Sequence, residues 1–276
     1  MRTIYFIAVN FNNSDFTINY VDSVKDLTST KDNINVIIVD NNSEKNDFNK
    51  LEAKLKNAEN VKLIRSESNL GYFGGLNIGI GSIHNVSKEN ENLLVIGNND
   101  LLFRKDFLVE LSKISYDVNT FVIAPNIITL DGYHQNPQLV IKQSEFKKFI
   151  LRLYFLNYYL ARVLRYVALT INKIKGRKEN MNSDRKMFIR QGNGACFILT
   201  NNFFKFYEKL DDGVFLWGEE CLLANQLSLA DGRMLYDPNI IVYHQTRLED
   251  TLFRGLNSKK QYEVSQLSYK CYSKYI

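Results

Sequence analysis

Four short apolar runs set the terms for what this chain can become. Residues 4–9, 36–39, 61–64 and 93–96 are rich in β-branched residues and read as buried strands. Helical spacing fills the gaps between them. Ser14 or Asp15 can cap a helix to about Leu27 that carries Phe16, Tyr20, Val24 and Leu27 on one face, and a second helix covers roughly 47–56. Strands alternating with helices over a hundred residues imply an α/β fold with a mostly parallel, Rossmann-like sheet and right-handed crossovers. Ligands of such sheets bind beyond the carboxyl ends of the strands. Here those ends carry Asn10, Asp40 and Asp100, so three polar termini should meet at one edge.

The second half is less regular. A strand over 121–128 precedes an Asp131-Gly132 turn. A Gly192-Asn193-Gly194 turn leads into an apolar run at 195–199, and an acidic stretch at 211–220 holds Trp217. A helical run over 221–230 ends at Asp231-Gly232, and a last short strand at 240–243 ends in His244. At 276 residues the chain can bury a substantial core, as one α/β domain with an appendage or as two small domains. Its net charge of +5 permits an anionic ligand or surface and requires neither. Cys196, Cys221 and Cys271 show no paired spacing and read as reduced thiols. The start has no signal-peptide layout and no apolar stretch is long enough to span a bilayer, so a cytoplasmic location is expected.

Three places could carry chemistry. The run Asn98-Asn99-Asp100 puts two oxygen-bearing side chains on one side of an extended strand end. It fits a plain turn, and equally a weak Mg²⁺ or Mn²⁺ site completed by a substrate diphosphate. Glu219-Glu220 could simply favour a helix dipole, or serve as a general base whose proton affinity its neighbour adjusts. His244 becomes a ligand candidate if strand order brings it to Asp100, whereas His84 and His134 have no such placement.

Other signatures are missing or ambiguous. The glycine-rich stretch 69–81 reads as a loop entering a helix, but Gly71, Gly74, Gly75 and Gly79 do not fit the dinucleotide fingerprint, and no P-loop occurs. Residues 142–178 hold ten Lys or Arg against one acid, Glu145, among many aromatic and aliphatic residues. That pattern suits amphipathic helices lying in an anionic membrane interface, or packed on the domain with a solvated basic face. Nucleic acid is not expected, since no recognition motif accompanies the charge.

In this order the motifs resemble the family 2 glycosyltransferases of the GT-A fold, and especially a rhamnosyltransferase-like bacterial branch. The resemblance rests on residues 7–12, on Asp40-Asn41-Asn42-Ser43 with its preceding strand, on the glycine stretch from Asn69 to Gly79, and on 94–100. Downstream it adds 194–197, 215–220 and 241–244. It implies one GT-A domain over 1–276: a nucleotide-sugar half at 1–130, a basic helical segment at 142–180, an acceptor-side half at 185–250 and a helical tail at 251–276.

The resemblance also implies roles. Val9, Asn10, Phe11, Asp40, Asn69, Gly75, Asn77, Asn98, Asn99 and Asp100 would bind a UDP- or dTDP-sugar. Asp100 and His244 would hold Mn²⁺ or Mg²⁺, Glu220 with Glu219 would supply the base, and Gly194 and Trp217 would face the acceptor. The implied reaction is inverting transfer to a glycan or lipid-diphosphate-linked acceptor in bacterial O-antigen or capsule synthesis, at the inner face of the cytoplasmic membrane. Two departures stand out: Asn98 replaces the first carboxylate of the metal motif, and Glu220 replaces an aspartate. Rival expectations are a nucleotidyltransferase and a non-catalytic sugar- or nucleotide-binding module.

Overall fold

The computed structural model describes residues 2–28, 31–83, 92–141, 143–175, 182–247 and 258–276. The first half alternates as expected: β1 (Thr3–Asn10), α1 (Ser14–Lys25), β2 (Asn33–Asp40), α2 (Lys45–Leu55), β3 (Val61–Arg65), α3 (Gly71–Gly81) and β4 (Leu93–Asn98). Then come β5 (Leu101–Phe103), α4 (Phe107–Ser112) and β6 (Thr120–Thr129). The rest comprises α5 (Glu145–Tyr154), α6 (Tyr158–Lys175), β7 (Met187–Ile189), β8 (Cys196–Leu199), α7 (Glu219–Leu229), β9 (Arg233–His244) and α8 (Lys259–Tyr272).

All strands join one nine-stranded sheet, ordered β3-β2-β1-β4-β8-β6-β9-β5 with β7 also on β9. The expected parallel arrangement holds for β3-β2-β1-β4 and again for β6-β9. Between these blocks β8 runs antiparallel to both neighbours, so the sheet is mixed. This reversal has a consequence for position. It is the start of β8, just after Gly194, that lies beside the carboxyl end of β4, with Cys196 opposite Gly97.

Side chains alternate across the sheet and build a core on each face. Phe6, Tyr20, Phe103 and Phe107 fill one side, while Phe73, Phe121, Phe197 and Tyr236 fill the other. The glycine stretch enters its helix early: Asn69 and Leu70 lead in, and everything from Gly71 to Gly81 is helix. Its glycines bring α3 down onto β1: a Cβ at Gly79 would lie 2.5 Å from Ile7 Cγ2, and one at Gly75 would lie 2.9 Å from Val9 Cγ2. Each glycine costs about 1 kcal/mol of helix propensity against alanine, which close burial against the sheet offsets.

The basic segment forms α5 and α6 and docks on α8 along one stripe. Tyr154, Phe155 and Tyr158 pack with Ala161 and Tyr262, and the rings of Phe155 and Tyr269 stack 4.3 Å apart. Other side chains of the segment are exposed, with Phe146 and Tyr166 each 73% exposed and Phe149, Leu156, Tyr159 and Val163 also open. Among the described residues, no helix is long and apolar enough to cross a membrane. Residues 142, 176–178 and 251–257 of the expected basic segment and tail lie outside the described residues, as does His84.

Candidate active site at the strand ends

Register alone collects the polar termini. Asn10 pairs with Asp40, Val9 with Asn98, and Leu101 with His244, so the ends of β1, β2, β4 and β9 share one edge. What the side chains do there differs from one strand to the next.

The ends of β1 and β2 form a buried hub. Asn10 donates from Nδ2 to Asp40 Oδ1 at 2.9 Å, to Asp47 Oδ2 at 2.9 Å and to Ser43 Oγ at 3.1 Å. Its Oδ1 accepts from Thr17 Oγ1 at 2.7 Å, and Asn99 Nδ2 donates to that same Thr17 oxygen at 2.7 Å. Asp40 Oδ2 accepts from the Ser43 backbone N–H at 3.2 Å and faces Arg65 Nε at 3.6 Å. Asn10 and Asp40 are fully buried. Burial would push Asp47 up, but hydrogen bonds from Asn10 and Ser14 outweigh it and hold the carboxyl below its ordinary value. The hub therefore fixes the loop after β1, from which Phe11 projects 48% exposed.

A second set of amides ties α3 in place. Asn41 Nδ2 donates to Asn69 Oδ1 and to Gly71 O, each at 2.9 Å, while Asn41 Oδ1 accepts from the Leu70 N–H at 3.0 Å. Asn77 clasps the backbone of Leu210 in both directions, at 3.0 and 2.9 Å. Asn69 and Asn77 are thus engaged by the chain itself, and Gly75 and Val9 press against each other.

The Asp100 end is different. His244 Nε2 lies 3.1 Å from Asp100 Oδ1 and 3.5 Å from Asn98 Nδ2. Its other nitrogen, Nδ1, meets Gln135 Oε1 at 2.7 Å. With Gln135 as acceptor, the ring proton sits on Nδ1 and the Nε2 lone pair points at a carboxylate oxygen. A proton or a cation between Nε2 and Asp100 Oδ1 would bridge the two. Carboxylate oxygen plus imidazole nitrogen, with the Asn98 amide beside them, is a donor set suited to Mn²⁺ or Mg²⁺ once a diphosphate adds oxygens. Among the described residues, no group of three or more His, Cys, Asp or Glu side chains that could hold a metal ion converges.

The acid pair comes to the same edge through β8. The Asn98 N–H donates to Ala195 O at 2.9 Å, and the Gly194 N–H donates to Glu220 Oε1 at 3.2 Å. Tyr72, from the first turn of α3, donates its hydroxyl to Gly194 O at 2.7 Å. Burial raises the Tyr72 phenol, and the charges of Cys196, Glu219, Glu220 and Asp100 add to the rise. Glu219 is 4% exposed, and its Oε1 is buried without a hydrogen-bond partner. Burial first, then the charge of Glu220, lifts its carboxyl to about 8. Glu220 is also raised, chiefly by burial, against backbone hydrogen bonds that include the one from Gly194. The pair shares its titration, and burial raises both carboxyls.

The structure thus brings together Asn98, Asp100, His244, Gly194, Glu219 and Glu220, with Trp217 in the turn before the acids. It puts Asn10, Asp40, Asn69, Asn77 and Asn99 behind the edge, in the scaffold that shapes it. Sequence reasoning missed Tyr72 and Gln135. Neither sits at a strand end or in an acidic cluster; Gln135 reaches His244 across 109 positions of sequence, a contact that only strand order creates.

This architecture is the GT-A fold. Residues 5–111, from β1 through most of α4, match the family described as Glycosyl transferase family 2. No curated protein sequence matches the chain. Among solved structures, GalNAc-T7 with UDP, GalNAc and Mn²⁺ superposes with a TM-score of 0.61 at 19% identity, over 90% of this chain and 44% of that one. The mannosyltransferase PcManGT from Pyrobaculum calidifontis, in complex with GDP-Man and Mn²⁺, gives 0.55 at 11% identity, over 96% of this chain and 69% of that one. S. aureus TarS 1–349 in complex with UDP gives 0.55 at 14% identity, over 98% and 65%. The chain therefore spans less than two thirds of GalNAc-T7 and of TarS. At these identities the likeness shows the fold; with the family match it supports a transferase.

The raised Glu219 carboxyl carries a stability signature. In the unfolded chain a glutamate titrates near ~4.3, whereas the folded value is about 8. Folding therefore tightens proton binding. The resulting stabilisation is complete below the unfolded value and is lost as pH rises through the folded one. Melting temperature measured from pH 5 to 9 should fall with pH, and Glu219→Gln should remove that part of the slope.

Proposed function

We propose that this chain is an inverting glycosyltransferase that moves a sugar from a nucleoside-diphosphate donor onto an acceptor hydroxyl. The observation that carries the reading is the meeting of two pairs at one sheet edge, Asp100–His244 on one side and Glu219–Glu220 on the other, joined through Asn98, Ala195 and Gly194. Phe11 is open enough to stack on the donor base, and the Asn10–Asp40 hub holds its loop. Asp100 and His244 would hold the divalent cation, which when bound neutralises charge on the departing diphosphate. Gln135 keeps the His244 proton on Nδ1 and so keeps Nε2 available as a ligand.

Glu220 takes the proton from the acceptor hydroxyl as that oxygen attacks the anomeric carbon from the face opposite the leaving group. The Gly194 N–H aims its carboxylate, and Glu219 beside it shares the pair's titration. Trp217 offers a ring for a sugar face. The sequence resemblance favours a UDP- or dTDP-linked hexose or deoxyhexose and a glycan or lipid-diphosphate acceptor, as in bacterial surface-polysaccharide synthesis.

The exposed side of α5 and α6 suits a membrane carrying that acceptor. On α6, Tyr159, Val163, Tyr166 and Val167 recur at helical spacing on one exposed stripe, with Arg162 beside it. Such a face can lie in an anionic interface while the opposite stripe stays on α8.

Two substitutions test the site. Glu220→Gln should leave donor binding unchanged and lower transfer by about a hundredfold or more; near wild-type turnover would remove Glu220 as base. Asp100→Ala should abolish the Mn²⁺-dependent part of nucleotide-sugar binding in calorimetry, and unchanged affinity would sink the metal assignment. Donor binding with neither transfer nor hydrolysis in the wild type would favour the binding-module reading, to which Asn98 is the best pointer. For the helical face, sedimentation with phosphatidylglycerol vesicles should be lost on Tyr159→Ser with Tyr166→Ser and weakened by salt; binding equal to wild type would count against it.

A further inference from the structure

The turn that delivers the acid pair is held in a conformation it does not favour by itself. Trp217 has φ +65° and Gly218 has φ +105°, two left-handed residues in succession just before α7. For a residue with a side chain that region costs about 1 kcal/mol or more, so neighbouring structure must hold it. Two elements do so. From α3, the Tyr72 N–H donates to Phe215 O at 3.1 Å. Gly71 lies so close that a Cβ there would fall 2.1 Å from that same oxygen.

From the other side comes α8. Ser268 Oγ donates to Leu216 O at 2.6 Å. The Tyr272 ring covers Gly218 so closely that a Cβ there would fall 2.2 Å from Tyr272 Cδ1. Burial raises the Tyr272 phenol well above its usual range, and the charges of Cys221 and Glu220 add to the rise. α8 is itself anchored on the basic helices. Tyr262 donates from its hydroxyl to Tyr154 O at 3.0 Å, and Gln266 Nε2 donates to Phe155 O at 2.7 Å.

We infer that Tyr272 and Ser268 are positioning residues for the reaction: they clamp the Leu216–Gly218 turn from above, and the clamp sets where α7 starts and where Glu220 points. Catalysis therefore depends on a helix that contributes no acid, base or metal ligand. The inference rests on Glu220 as the base, but its structural half can be read without turnover. Trp217 is the only tryptophan in the chain and stands in the clamped turn, so its emission reports on the clamp directly.

The experiment uses the full chain and the variants Tyr272→Phe, Tyr272→Ala and Ser268→Ala. Tryptophan emission and acrylamide quenching are recorded, together with UDP·Mn²⁺ affinity and kcat for whichever donor in a nucleotide-sugar panel is turned over. Tyr272→Ala should red-shift the emission, raise quenching, lower kcat about ten- to a hundredfold and leave UDP affinity unchanged. The rise of kcat with pH should also move toward the ordinary carboxylate range as water reaches the acids. Tyr272→Phe should restore all of these, and Ser268→Ala should give a smaller effect in the same direction, which covers the case in which the alanine at 272 folds poorly. Unchanged Trp217 emission in both alanine variants overturns the clamp, and altered emission with unchanged kcat overturns its role in catalysis. If instead Glu220→Gln retains turnover while Tyr272→Ala still shifts the emission, it is the assignment of the base that fails.

Discussion

The antiparallel pairing of β8 with β4 brings the second half of the chain to the edge where the first half ends. Its ladder sets Cys196 against Gly97, and the Asn98 N–H then bonds Ala195 O at 2.9 Å. Gly97 has to be glycine in this geometry, since a Cβ there would fall 2.5 Å from Ala195 O. Through this contact Gly194 reaches Glu220, and Tyr72 reaches Gly194. Without it the Asp100–His244 pair and the Glu219–Glu220 pair would have no shared framework.

Polar groups at this edge fall into two kinds, separated by their partners and not by burial, since His244 and Glu219 are buried as Asn10 and Asp40 are. Asn10, Asp40, Asn41 and Asn77 spend their hydrogen-bonding capacity on backbone and on one another, as buried amides and carboxylates must. His244 Nε2 instead faces the Asp100 carboxylate, and one Glu219 oxygen is buried with no hydrogen-bond partner among the described residues. A cation or a proton can be shared at the first place, and a proton held at the second. Function is read from that difference, because both kinds are equally polar in sequence.

The basic helices show how one segment can pack and still leave a face open. The stripe of α6 bearing Tyr158 and Ala161 turns toward α8, and the stripe bearing Tyr159 and Val163 is exposed. Packing on the domain therefore does not use up the apolar residues that composition alone displays, since residues one apart on a helix point about a quarter-turn or more away from each other.

The sequence by itself determined the α/β alternation, the four parallel strands of the first half and the polar termini at their ends, because apolar runs of strand length can only be buried in that way. It also marked Asp100, His244 and the Glu219-Glu220 pair. The tertiary structure decided what linear spacing could not carry: that β8 reverses the sheet, that the glycine stretch is helix lying against Ile7 and Val9, that Asp40 is a buried hub, and that Gln135 and Tyr72 serve the site. It also decided that α8 grips the turn before the acids. Each of these rests on contacts between residues tens to more than a hundred positions apart. Such contacts follow from strand order and helix packing, and neither period nor motif records them.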